Sequence, residues 1–219
     1  MGPTSALAVI VLVVLAVLAL LLAQLLCRRR ERAVAGGGPK DVVVDTLNLV
    51  HWLRRRVPGG RIGTCDILGA IDAATPGIRR AYPGRVTFVT KTRETEETPV
   101  MKARLRALYQ AAAQRNGVHI HVVENLPGQK KASADHSALG RDDFYIALLA
   151  KRYRCPVISR DHYRDLAQMK KGALSTFHVY SYSPTKKTAD RDFVNPSAAE
   201  FGRLRRPKTV EPGDVMPHF

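Results

Sequence analysis

Short apolar runs that alternate with stretches of helical period constrain this chain more than anything else in it. The runs are DVVVD (41–45), RVTFVT (85–90), VHIHVV (118–123), CPVIS (155–159) and STFHVYSY (175–182). A brief continuous apolar run bounded by charges reads as a strand buried on both faces, the situation of strands in parallel sheets. Between the runs lie helical segments. One spans Asn48 to Arg56 and ends at Pro58-Gly59-Gly60. A second starts at Thr64 as N-cap, with Ile67, Leu68 and Ile71 on one face. A third opens at Thr98-Pro99, continues through Val100, Met101, Leu105, Leu108 and Tyr109, and stops at Asn116-Gly117. A fourth covers DDFYIALLAKRY, and a short one follows Asp161. Strands alternating with helices give an α/β fold: three layers, with a central parallel sheet between two layers of helices.

Ahead of this pattern, residues 6–26 (ALAVIVLVVLAVLALLLAQLL) hold a single polar side chain, Gln24. About 20 apolar residues cross a hydrocarbon core, so the run predicts one transmembrane helix in contact with a lipid bilayer. A secretory signal would carry a basic start and a small-residue cleavage site, and MGPTS and Leu25-Leu26-Cys27 supply neither. Arg28, Arg29, Arg30 and Arg32 follow the run. By the positive-inside rule they place the remainder of the chain in the cytosol. The expected organisation is an anchor at 1–27, a basic and Gly-rich linker at 28–40, one compact domain at 41–183 and a mostly disordered tail at 184–219. The tail is rich in Pro and polar residues and has no sustained apolar period.

The chain carries 35 Lys+Arg against 19 Asp+Glu, a formal charge of +16. Most of the excess sits in the compact domain, with 23 basic and 13 acidic residues, against 7 and 5 in the tail. Such a balance favours a polyanionic partner. Cys27, Cys65 and Cys155 form no C-x-x-C pair, which excludes a disulfide scaffold and a Cys-rich zinc finger and suits a reducing compartment. His119 and His121 alternate on a strand and share a face, but no third ligand stands at a suitable spacing. They read as ordinary strand histidines.

Against this basic background the acidic residues at element ends stand out. Asp45 closes the first strand, Asp161 follows the fourth, and Asp142 and Asp143 open the helix that feeds the fourth. If the sheet is wound in two directions from the first strand, the first and fourth become neighbours. Asp45 and Asp161 then meet at the switch point, where α/β sheets place their sites. Each alone reads as a helix cap or turn residue. Together they form a set of carboxylates that repel one another unless a cation compensates them. Hard oxygen donors with room for water suit Mg²⁺ or Mn²⁺.

Residues 141–166, RDDFYIALLAKRYRCPVISRDHYRDL, resemble the core motif of the regnase-like (MCPIP-type) NYN ribonucleases, within the PIN-like nuclease fold. In that family an Asp-Asp pair opens a helix, an apolar strand follows, and a Ser-x-Asp-x-Tyr-Arg-Asp-Leu segment comes next. Residues 42–48, VVVDTLN, resemble the family's opening strand, with Thr46 where the family has Gly. The resemblance implies a metal-dependent endoribonuclease leaving a 5′-phosphate, with Asp45, Asp142, Asp143 and Asp161 as metal-holding catalytic residues. The family's Asn falls on Asn48, expected to orient an acidic ligand or a substrate phosphate. No zinc-finger spacing follows the domain, so RNA engagement falls to the domain surface: Lys130, Lys131, Arg160 and Arg164, beside the acidic set in sequence. Tyr145, Tyr153 and Tyr163 are candidates for base stacking or for packing. The expected partners are RNA, single-stranded or stem-loop, and a second copy of the chain. The competing expectations are a membrane-tethered RNA-binding protein with an inactive PIN-like domain and a membrane adaptor.

Overall fold

The computed structural model describes residues 40–54, 64–91, 99–124, 141–167, 177–194 and 204–217. The order of elements is β1 (Val42–Asp45), α1 (Thr46–Arg54), α2 (Thr64–Ala81), β2 (Val86–Lys91), α3 (Pro99–Asn116), β3 (His119–Glu124), α4 (Arg141–Tyr153) and β4 (Val157–Ile158). A 3₁₀ turn (Arg164–Ala167), β5 (Phe177–Tyr182), β6 (Asp190–Val194), β7 (Thr209–Val210) and α5 (Pro212–Val215) complete it.

One seven-stranded sheet runs in the order β6-β5-β3-β2-β1-β4-β7. β1 lies between β2 and β4, parallel to both, in the register Val44↔Phe88 and Val44↔Ile158. The chain is therefore wound in two directions from its first strand, and the β1/β4 boundary is the switch point. Alternate residues of the strands feed two cores. Val42, Val44, Phe88, Ile120 and Ile158 pack with α1, α2 and α3, while Val43, Val89, Val123 and Val157 pack with α4. This alternation is why β1 reads as continuous valine: both its faces are covered.

The fold class expected from the sequence is corrected on two counts. The sheet is mixed, because β5 pairs antiparallel to β3 and β6 antiparallel to β5. Buried and half-buried positions interleave along β5, as suits a strand near a sheet edge. The second correction concerns the membrane helix: no helix among the described residues is long and apolar enough to cross a membrane. The longest, α2 and α3, bear Asp66, Asp72, Arg79 and Arg80, and Lys102, Arg104, Arg106 and Arg115. The run 6–26, on which that expectation rested, lies outside the described residues.

The segment expected as a loose tail also contributes elements. β6 forms a hairpin with β5, β7 pairs parallel with β4, and α5 follows it. Met216, just past α5, is 2% exposed and belongs to the core beneath α2. A Cβ placed on Gly77 of α2 would stand 3.0 Å from Met216 Cγ, so the glycine permits this close approach.

Candidate active site at the carboxyl edge of the sheet

β1 runs into α1 without a linker, and this junction builds the first part of the site. Asp45, 5% exposed, is the N-cap of α1. The Asn48 backbone N–H donates to Asp45 Oδ1 at 3.1 Å, the N3 bond of a capped helix, and Asn48 Nδ2 donates to Oδ2 at 2.8 Å. Ser159, directly after β4, donates its hydroxyl to the same Oδ2 at 2.9 Å, and the Tyr163 hydroxyl donates at 3.2 Å. Burial raises the Asp45 pKa, the bonds from Asn48 and Ser159 hold it down, and the charge of Asp142 adds to the rise; the net direction is upward.

Ser159 and Tyr163 tie Asp45 to Asp161. The Asp161 backbone N–H donates to Ser159 Oγ at 3.0 Å, and the Tyr163 backbone N–H donates to Asp161 Oδ1 at 2.9 Å. The second bond closes an Asx turn. Tyr163 has φ +49°, a left-handed conformation uncommon for a bulky residue. That conformation lets one residue bond Asp161 with its backbone and Asp45 with its side chain. Burial, followed by the charge of Asp45, raises the Tyr163 hydroxyl pKa, so it remains a donor.

Asp142 and Asp143 lie in the first turn of α4, where the helix dipole favours negative charge. Lys91 closes β2, and its Nζ lies 3.0 Å from Asp142 Oδ2. The Asp143 carboxyl is pushed up to about 7, by burial first, then by the charges of Asp142, Asp45 and Asp161, with Lys91 opposing. Carboxylates raise one another in this way only when close. The β1/β4 pairing and these charge effects place Asp45, Asp142, Asp143 and Asp161 near one another at the carboxyl edge of the sheet, with Asn48 bonded to Asp45.

Among the described residues, no group of three or more His, Cys, Asp or Glu is placed to hold a metal ion as it stands. The donor chemistry nevertheless fits a hard divalent cation: four carboxylates, a surplus of negative charge, and one carboxyl already driven toward protonation. The Thr46 hydroxyl, fully buried beside Asp45, has no hydrogen-bond partner among the described residues.

The expected RNA contacts divide three ways. Arg160 is exposed, and its Nε pairs with Glu211 at 3.5 Å. Arg164 is exposed at the start of the 3₁₀ turn, with its carbonyl oxygen 3.5 Å from the Arg206 guanidinium. Lys130 and Lys131 lie outside the described residues. Tyr145, Tyr153 and Tyr163 are all buried and pack in the α4 core rather than presenting rings to a base. His121 is buried with Nδ1 2.8 Å from the Tyr145 hydroxyl, a packed strand histidine.

Sequence reasoning assigned no role to Ser159, Lys91 or Glu211 and left Tyr163 between stacking and packing. The Ser-x-Asp-x-Tyr spacing is the only signal for two of them. No family model matches the chain, and comparisons with curated proteins and with solved structures give no match.

Proposed function

We propose that the chain is a metal-dependent endoribonuclease that hydrolyses RNA phosphodiester bonds at the crevice formed by Asp45, Asp142, Asp143 and Asp161. The observation that carries this reading is the placement of four carboxylates at the ends of β1 and β4 and the start of α4, where burial and then the charges of Asp142, Asp45 and Asp161 push the Asp143 carboxyl up to about 7. Clustered carboxylates, here with Asp45 and Asp142 buried and Asp143 half-buried, are costly unless they serve a charge that the site takes up. The positive net charge of +16 and the resemblance of residues 141–166 to the regnase-like NYN motif support RNA as the polyanion.

When bound, Mg²⁺ or Mn²⁺ supplies charge stabilisation and an activated water. The four Asp carboxylates would hold it, with Lys91 giving up Asp142. Asn48, Ser159 and Tyr163 fix the Asp45 carboxylate in one orientation, and Asp143 is poised to hold or release a proton near neutral pH. Arg164 offers a guanidinium to substrate phosphate. Arg160 does so after exchanging Glu211, an exposed pair worth about 0–1 kcal/mol.

The test is cleavage of an end-labelled single-stranded RNA by the purified chain. Products with 5′-phosphate ends are expected in Mg²⁺ and none in EDTA. Equal RNA recovery in both would remove the nuclease reading. An RNA-binding protein with an inactive site is the second reading. It draws on Lys91 and the Asp45 hydrogen bonds, which satisfy carboxylates without a cation.

Tyr163→Phe keeps the ring in its core and deletes the bond to Asp45. A cost of about 1 kcal/mol in unfolding free energy is expected, with kcat lowered about tenfold, 1.4 kcal/mol of barrier, and KM unchanged. Parent stability together with parent kcat would show that the hydroxyl does not position Asp45.

A further inference from the structure

The opposite edge of the sheet carries the opposite charge. Three backbone bonds mark its row across four strands. The Val42 N–H donates to the Arg85 carbonyl at 2.8 Å, Val43 to Pro156 at 3.1 Å, and Val157 to Lys208 at 2.8 Å. Strand spacing makes this row about 14 Å long. Exposed Arg85 and Lys208 stand in it. Exposed Lys40, Arg152 and Arg154 flank it from the start of the domain and from the end of α4.

Two of these cations converge from different elements. Arg85 leads into β2, and its guanidinium lies 5.0 Å from the centroid of the Tyr153 ring of α4. His119, opposite Thr87 at the start of β3, is pushed down to about 4 by burial and then by the charge of Arg85. His121 behind it is pushed down to about 3 by burial, then by His119, Arg85 and Arg152. The Arg85–Tyr153 contact brings Arg85 to the end of α4, where Arg152 precedes Tyr153. The carboxylates facing this edge are Asp41, whose Oδ1 accepts the Arg85 backbone N–H at 2.8 Å, and Asp190, level with His121 across β5 and paired with Lys186. The cations outnumber them.

We propose that this amino-terminal edge, centred on Arg85, Arg152 and Lys208, is a second binding surface for the phosphate backbone of RNA lying outside the acidic crevice. The proposal rests on the reading of RNA as substrate. The two edges are separated by the length of the strands, roughly 15–20 Å, so an RNA that spans both must exceed the few nucleotides held at the crevice. Guanidinium forks suit phosphate oxygens, and contacts of this kind position a strand without reading its sequence. A lipid contact made by insertion would call for apolar side chains, and a purely electrostatic one is separated by measuring vesicle binding. The exposed large hydrophobics among the described residues, Val100, Met101, Leu108 and Phe193, lie on α3 and β6 and not in this row.

The experiment measures binding of the full chain to fluorescent oligouridine, one short and one long, as salt is raised. The parent is compared with Arg85→Gln/Arg152→Gln/Lys208→Gln and with the milder Arg152→Gln/Lys208→Gln, which leaves the Arg85–Tyr153 contact intact. The triple variant should lower the slope of log K against log salt by about two for the long RNA, at about 0.7 per lost phosphate contact, and the double variant by about 1.4. Cleavage of the short RNA at saturation should stay at the parent rate in both. Unchanged slope and affinity for the long RNA in both variants overturns the surface. Loss of binding to phosphatidylserine vesicles with RNA binding intact also overturns it, in favour of a lipid contact. If no protein cleaves but the slopes fall as expected, the surface stands and the nuclease reading fails.

Discussion

Asp143→Asn is expected to abolish RNA cleavage while leaving the protein folded and able to bind RNA. The substitution preserves size and removes one charge from a crevice where Asp143 already stands at about 7 under its own burial and the charges of Asp142, Asp45 and Asp161. Losing a carboxylate that holds the cation should lower kcat at least a hundredfold, each tenfold step being about 1.4 kcal/mol of barrier. Stability should move the other way, and its pH dependence identifies the cause. In the folded chain the Asp143 carboxyl binds its proton more tightly than in the unfolded chain, where its value is 3.8. The parent therefore loses stability as pH rises from about 4 through about 7. The loss is on the order of 2 kcal/mol once partial solvent access is allowed for. Asn has no proton to lose. Asp143→Asn should match the parent near pH 4 and exceed it at pH 8, as read by urea unfolding at both values. An Asn variant that cleaves at the parent rate, or that shows the parent's pH dependence, would show that Asp143 does not share the crevice.

Met216→Ala should be the most costly single change in the carboxyl-terminal segment, at about 2–4 kcal/mol in unfolding free energy. The side chain is 2% exposed, packs where Gly77 leaves α2 without a Cβ, and joins the core that contains Trp52 and Ile78. A change of less than about 0.5 kcal/mol, the range of exposed positions, would mean that the segment does not seal the core. Gly77→Ala should cost less, about 1–3 kcal/mol, because the flexible thioether yields part of the clash.

Much of the fold was legible because it rests on local patterns. The valines of β1, the proline opening α3 and the Gly117 stop (φ +65°) at its end lie where the sequence predicts them. That the first and fourth strands are neighbours was legible only conditionally, on a sheet wound in two directions from the first strand, and β1 does pair with β4. Strand direction was less accessible. The run at 175–182 announces a strand but does not say which way it pairs, and only the β3 register makes it antiparallel. The carboxyl-terminal elements left almost no pattern. Four of five residues of β6 are exposed, β7 is two residues long, and a single methionine marks the buried end of the segment. β6 and β7 are held by main-chain pairing, which composition does not report.

The acidic set was legible as four residues at element ends, but the devices that orient it were not. Ser159 lies 114 positions from Asp45, and the Ser-x-Asp-x-Tyr spacing marks it without saying that its hydroxyl reaches Asp45. Tyr163 reads as one more aromatic beside a core helix. Its bonds to both Asp45 and Asp161 depend on a left-handed backbone, which an L-residue adopts only when surrounding structure enforces it. Lys91 sits among charged neighbours in KTRETEE, and the chain order alone does not reveal that its ammonium reaches Asp142.

Asp45, Asp142, Asp143 and Asp161 are expected to act as one cation-holding unit. Calorimetric titration of Mn²⁺ into the full chain at pH 7, repeated in buffers of different ionisation enthalpy, tests it most directly. Saturable binding is predicted, with release of up to about one proton, because Asp143 is partly protonated at that pH and must ionise to bind the cation. Binding should weaken sharply in both Asp45→Asn and Asp143→Asn. Heats that never saturate, or identical isotherms for the parent and the two Asn variants, would contradict it.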